Sequence, residues 1–184
     1  MPLKDKSMSI IRIRPLNSYS LQSLFEDIFY RDKTGNLVNS AILLYEKIRK
    51  DPAKGLRSSE WQNHVSDIFK IESIQFDENN ALKELSQKYE SILKAGESKR
   101  GLRGKKPYQA LLDKHSKGDI KLNEKEHSLL QRVSNWYSAV SSYYSILNKL
   151  KAIGMIEKKE GNYVISKKFV SSLSSIEKAL KYRS

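Results

Sequence analysis

A chain of 184 residues with 39% hydrophobic and 30% charged residues can fold around a core and still carry long solvated helix faces. Lys and Arg number 34 against 21 Asp and Glu, a formal net charge of +13, so the surface attracts polyanions and release of phosphate counterions would drive binding. The absence of cysteine excludes disulfides, thiolate metal centres and a cysteine nucleophile, and no apolar run approaches the roughly 18 residues of a transmembrane helix.

The opening Met1-Pro2-Leu3-Lys4-Asp5-Lys6 lacks the apolar stretch of a signal peptide, so a cytoplasmic protein is expected. Residues 9–14 read as a short strand or extended arm that Pro15 ends. Leu21, Leu24, Phe25, Ile28 and Phe29 stand at helical spacing over residues 20–30, and residues 31–36 form a turn. A helix is predicted over 37–50, with Val38, Ala41, Ile42, Leu44, Tyr45 and Ile48 on one face and Asp51-Pro52 and Gly55 closing it. The next helix covers 59–69 with Ser58 or Ser59 as its cap. Residues 71–76 alternate weakly, as a loop or short strand. Ala81, Leu82, Leu85, Tyr89, Ile92 and Leu93 then carry a helix from Asp77 to residue 95.

Residues 94–107 form the most distinct shift in composition, with three glycines, a proline and six basic residues against one acid. The segment divides the chain into a helical N-terminal domain (1–96), a basic Gly-rich loop or linker (97–107) and a C-terminal domain (108–184). In the last of these, a helix over 108–116 carries Tyr108, Leu111 and Leu112 and stops at Gly118. Residues 119–122 suit a short strand. Asn123-Glu124-Lys125-Glu126 opens a helical region that reaches 153, and Gly154 closes it. Residues 155–166 read as a β-hairpin centred on Glu160-Gly161-Asn162, and a final helix covers 168–181.

Residues 138–166 resemble the second half of a winged helix-turn-helix domain. Leu150, Gly154, Met155 and Ile156 stand at the Leu-x-x-x-Gly-Leu-Ile-like turn that ends the recognition helix of that family, and Tyr163 stands at the aromatic position of the second wing strand. The resemblance implies a mainly α fold with a small β-hairpin wing, residues 108–134 supplying the first two helices. Leu147, Leu150 and Ile153 pack the third helix inward. Ser141, Ser142, Tyr144, Ser145, Asn148 and Lys149 are left for base edges and phosphates, and the wing tip offers Lys158, Lys159 and Asn162 to the backbone or minor groove. A tandem arrangement is the alternative, with helices 37–50, 59–69 and 78–95 followed by 96–106 as a second wing. Otherwise Lys99, Arg100, Arg103, Lys105 and Lys106 form a phosphate-binding loop or a solvated linker.

Leu129, Val133, Trp136, Val140, Tyr143, Leu147 and Leu150 keep a seven-residue rhythm through the place where a helix-turn-helix would break. That seam suits one long helix and a homodimer through it, or through helix 168–181; Ser134-Asn135 and Ser141-Ser142 are the points where it would break. Nothing points to catalysis, a cofactor or a metal. His64, His115 and His127 lack metal-binding spacing, residues 101–106 lack the Gly-Lys-Ser/Thr ending of a P-loop, and no Gly-x-Ser-x-Gly elbow occurs. The expectation is a double-stranded DNA-binding protein of transcription, or of replication or segregation of a small replicon, and so associated with the nucleoid. The alternative is an adaptor subunit of a nucleic-acid machine, with the seam and the aromatics Trp61 and Trp136 facing a protein partner.

Overall fold

The computed structural model describes residues 20–32, 35–52, 54–91, 93, 106–169 and 171. The arm expected at 9–14, the basic residues Lys99, Arg100, Arg103 and Lys105, and most of the helix expected at 168–181 lie outside the described residues. The chain forms two compact units, one of residues 1–70 with 142–184 and the other of residues 71–141. This division differs from the one expected at 97–107. Composition along the chain is local and does not decide which helices share a core.

Unit 1 contains α1 (Leu21–Ile28), α2 (Asn36–Lys50), β1 (Leu56–Arg57), α3 (Trp61–Phe69), the C-terminal part of a long helix described below, β2 (Ile156–Lys159) and β3 (Asn162–Ile165). The Ser20 hydroxyl caps α1 by accepting from the Ser23 amide at 3.1 Å. Lys47, Arg49 and Lys50 fill the last turn of α2, where cations favour the helix dipole. No serine caps α3; the chain enters it through a 3₁₀ turn, Ser58–Glu60, and leaves through Lys70 in a left-handed conformation. The core gathers Phe25, Ile28 and Phe29, then Val38, Ala41, Leu44 and Ile48 of α2, Val65 and Ile68 of α3, and Tyr143, Ile146, Leu147 and Leu150 of the long helix.

The three strands form an antiparallel sheet in the order β1-β3-β2, with Leu56 opposite Tyr163 and Ile156 opposite Ile165. Glu160 and Gly161 both take positive φ, 50° and 83°, between the paired Lys159 and Asn162. This is a two-residue hairpin turn of the kind whose twist matches the strands. Gly55 is required for a different reason: a Cβ there would lie 2.2 Å from the carbonyl oxygen of Tyr163 on the central strand.

Unit 2 contains α4 (Phe76–Lys88), α5 (Pro107–Ser116) and the first part of α6 (Glu124–Ala152). Leu85, Tyr108, Leu111, Ile120, Leu130 and Val133 form its core. Neither 71–76 nor 119–122 forms a strand; residues 71–75 are irregular, Phe76 opens α4, and the chain bends at 119–120 and is irregular over 121–123. The start of α6 is a reciprocal cap. Asn123 Oδ1 accepts from the Glu126 amide at 2.9 Å, and Glu126 Oε2 accepts from the Asn123 amide at 3.0 Å.

Helix α6 runs unbroken through both expected break points, Ser134-Asn135 and Ser141-Ser142. Its 29 residues include no glycine or proline, and its apolar rhythm carries through every turn, so burial outweighs the small cost of interior Ser and Asn. Residues 108–134 therefore do not supply two helices packed ahead of the hairpin in its own unit. Of the three upstream helices, α2 and α3 belong to unit 1 and α4 to unit 2. Val133, Trp136, Tyr143, Leu147 and Leu150 of the seven-residue seam are buried within the single chain, and Leu129 and Val140 are half-buried. Gly154, at φ 74°, ends α6: the Met155 amide donates to the Leu150 carbonyl at 2.9 Å and the Gly154 amide to Lys151 at 3.0 Å, a Schellman closure.

Candidate nucleic-acid interface

The positive charge is unevenly divided. Unit 1 holds 21 Lys and Arg against 11 Asp and Glu, net +10, whereas unit 2 holds 13 against 10, net +3. Counterion release would therefore favour unit 1 as the polyanion-binding body.

Along α6, Tyr144, Ser145, Asn148 and Lys151 are exposed on unit 1, and Ser142 is half-buried. Ser141 is exposed as well but is the last residue of unit 2. Lys149 is turned away from this stripe. Its Nζ donates to the carbonyl of Ile28 at 3.1 Å and sits 4.6 Å from the centre of the Phe29 ring. Partial burial pulls its pKa below the ordinary lysine value. Lys149 thus ties α6 to the end of α1, an engagement its sequence position does not reveal.

The two wing lysines are not equivalent. Side chains alternate across a strand, so Ile156 and Lys158 share one face with Tyr163, Ile165 and Leu56, while Glu157 and Lys159 share the other with Asn162, Val164 and Arg57. Ile156, Tyr163 and Leu56 are buried, so the first face is the one toward the helices. At its tip the Lys158 ammonium lies 5.9 Å from the centre of the Tyr163 ring. Lys158 and Lys159 are exposed and Asn162 is half-buried.

Unit 1 also holds an aromatic cluster. Trp61, at the start of α3, is half-buried with its ring centre 6.0 Å from that of Tyr144, and Tyr144 meets Tyr143 edge-on at 5.3 Å. Tyr144 keeps 39% of its surface exposed. Burial first, and neighbouring tyrosines second, push the hydroxyls of Tyr143 and Tyr163 above the usual phenol range. Trp61 is thus only partly open, and Trp136, at 4% exposure, is buried, so the pair does not form an exposed surface for a partner.

Two other residues of this region carry no signal in the sequence. Arg57 shares the outer sheet face with Lys159, with Glu60 3.5 Å away; its strand is two residues long and leaves no periodic pattern. His64 is buried, and its Nε2 donates to the Arg57 carbonyl at 3.0 Å, joining α3 to β1. Burial lowers its pKa.

Lys106 stands apart from the hairpin. It belongs to unit 2, where its Nζ caps the Tyr137 ring at 4.1 Å and Tyr137 stacks on Tyr108 at 5.3 Å. Of the basic segment's candidate residues, Lys106 alone is described. The rings of His115 and His127 are 5.2 Å apart, yet no group of three metal-capable side chains occurs among the described residues. No helix among the described residues is long and apolar enough to cross a membrane.

Fold and site define a mainly helical protein with a small three-stranded antiparallel sheet, in which one unit gathers the basic excess. The chain belongs to a family described as an archaeal family, whose model matches residues 90–183. No curated protein and no solved structure matches the chain.

Proposed function

We propose that unit 1 is a winged helix-turn-helix domain opened by an insertion, and that it binds double-stranded DNA. The supporting observation is the order of its elements: helices α2 and α3, a third helix closed by Gly154, and the β2–β3 hairpin, with β1 completing the sheet beside β3. A helix-turn-helix joins its second and third helices by a turn of about 3–4 residues. In this chain residues 71–141 occupy that place in the sequence. The half of the domain ahead of the hairpin is then residues 36–69, not 108–134.

The insertion changes how such a domain would hold a duplex. Because α6 continues N-terminally past residue 142, it offers no free helix N-terminus whose amides could meet a phosphate there. Contact falls to side chains: Ser145, Asn148 and Lys151 on α6 and Lys158 on the helix-facing side of the wing. Lys159, Asn162 and Arg57 face the other way and suit an adjoining stretch of backbone. The role that follows is a DNA-bound regulator of transcription, or of replication or segregation. The seam that favoured an adaptor role is largely buried in the chain's own core, which removes that motive.

Fluorescence anisotropy with a blunt duplex across a salt series tests this reading. Affinity is expected to fall linearly on a log–log plot, and Lys158→Ala with Lys159→Ala to flatten the slope by about 1 for each phosphate no longer neutralised. Absence of duplex binding, or binding indifferent to salt, refutes it.

A further inference from the structure

Duplex binding gives a use to the hydroxyl of Tyr144 but none to the face of its ring. A large aromatic side chain stands 39% exposed on α6, in the unit carrying net +10, with polar Ser145 and Asn148 beside it. Its ring is not loose. Trp61 backs it at 6.0 Å with a 44° tilt, and Tyr143, fully buried, holds it edge-on at 5.3 Å. Tyr163 lies within electrostatic range of it, and Lys158 borders Tyr163. The result is an aromatic surface braced by two rings, and Tyr163 carries the Lys158 ammonium 5.9 Å from its own ring centre. Glu60 and Asp67, the acids of the neighbouring helix region, are engaged by Arg57 and Lys47.

Paired bases in a duplex present only their edges, because their faces are covered by stacking. An aromatic face therefore has no partner in intact duplex except sugars and methyl groups. An unpaired base has an open face, and stacking on an aromatic side chain is sequence-tolerant because every base has one. A tyrosine held by two aromatic neighbours loses little conformational freedom when a base lands on it. We infer that Tyr144, backed by Trp61, is a stacking platform for an unpaired base, with Lys158 taking a neighbouring phosphate, so that the protein prefers duplex DNA carrying a single-stranded extension.

This inference rests on the nucleic-acid reading above, and the test separates the two. Three ligands are compared by anisotropy with the full chain: a blunt duplex, the same duplex with a single-stranded tail, and that duplex with a tail of abasic sites, which keeps the phosphates and removes the bases. The wild type is expected to bind the base-carrying tail about tenfold or more tighter than the abasic tail. Tyr144→Phe keeps that ratio. Tyr144→Leu, which preserves apolar bulk against Trp61, brings it to one, and because the two tailed ligands share one duplex, any change in duplex affinity cancels from that ratio. Equal binding of the two tails by the wild type overturns the platform, as does a ratio that survives Tyr144→Leu. Blunt-duplex binding without a tail preference leaves the duplex reading standing alone. A tail preference that Tyr144→Leu abolishes, without blunt-duplex binding, refutes the duplex reading and upholds the platform.

Discussion

Replacing Gly55 by alanine tests whether the small sheet is held by a backbone contact that no side chain reveals. Gly55 has φ +62°, and an added Cβ would lie 2.2 Å from the Tyr163 carbonyl oxygen and 2.7 Å from a Val164 methyl. The left-handed conformation costs an alanine roughly 1–2 kcal/mol. The clash is with the backbone of the central strand, so β1 must move off β3. That movement loses the Leu56–Tyr163 and Arg57–Asn162 pairing and the 2.9 Å bond from the Ser58 amide to the Gly161 carbonyl. At about 1 kcal/mol for each hydrogen bond broken, the total reaches about 3–5 kcal/mol. Gly154→Ala is the control. Its φ is +74°, but nothing lies within 4 Å of its Cβ position, so only the conformational cost of about 1–2 kcal/mol applies. Urea titration of each variant against wild type measures the difference, since the midpoint shift multiplied by the slope gives the free energy. Equal losses at Gly55 and Gly154 would refute the close-approach argument and leave positive φ as the whole effect.

Glu160 sits at φ 50° in the wing turn, where asparagine is favoured, so Glu160→Asn should gain about 0.5–1 kcal/mol in thermal unfolding and also tighten duplex binding by removing an acid from the tip; a loss of stability would contradict the turn assignment. Lys149→Ala should cost about 1 kcal/mol by removing the bond to Ile28 and leave duplex affinity within about twofold; an affinity loss as large as that of Lys158→Ala would return Lys149 to the interface. Burial depresses the pKa of His64 in the folded chain, so below the ordinary histidine value of 6.5 the unfolded chain binds the extra proton. Stability should therefore be full above that value and decline as pH falls from it through the lower folded pKa. His64→Gln, which can still donate to the Arg57 carbonyl, should flatten that decline in acid titrations followed by circular dichroism.

The elements with strong local signals were legible. Helix α2 carries its apolar face at regular spacing, and Gly154 and the Glu160-Gly161 turn are marked by residues whose backbone freedom the local geometry demands. What the sequence did not disclose is which elements share a core. β1 is two residues long, so it has no alternation to detect, and its partner β3 lies more than 100 residues further on. The basic stretch at 97–107 draws the eye as a boundary because composition is local. The boundaries of the units instead fall at residue 70, after a left-handed Lys70, and inside a helix that shows no break at all.

The candidate site shows the same division between local and non-local information. Periodicity alone exposes Tyr144, Ser145 and Asn148, because a helix that buries Tyr143, Ile146, Leu147 and Leu150 must turn those three outward. It also offers Lys149, and there it fails: the residue borders the buried face, and a carbonyl at the end of α1, 121 positions away in sequence, accepts its ammonium. The wing lysines fail differently. Adjacent in sequence and both exposed, they look interchangeable, yet strand alternation sends Lys158 toward the aromatic cluster and Lys159 toward Arg57. On the proposed reading, a duplex lying against the helix-facing side of the sheet meets Lys158 directly, while Lys159 meets it only where the nucleic acid passes the hairpin tip. Single substitutions should consequently separate the two, with Lys158→Ala lowering affinity for short and long duplexes alike, and Lys159→Ala lowering it only for duplexes long enough to extend beyond the wing. Equal effects on a short duplex would mean that the hairpin approaches the nucleic acid edge-on, with both faces touching it.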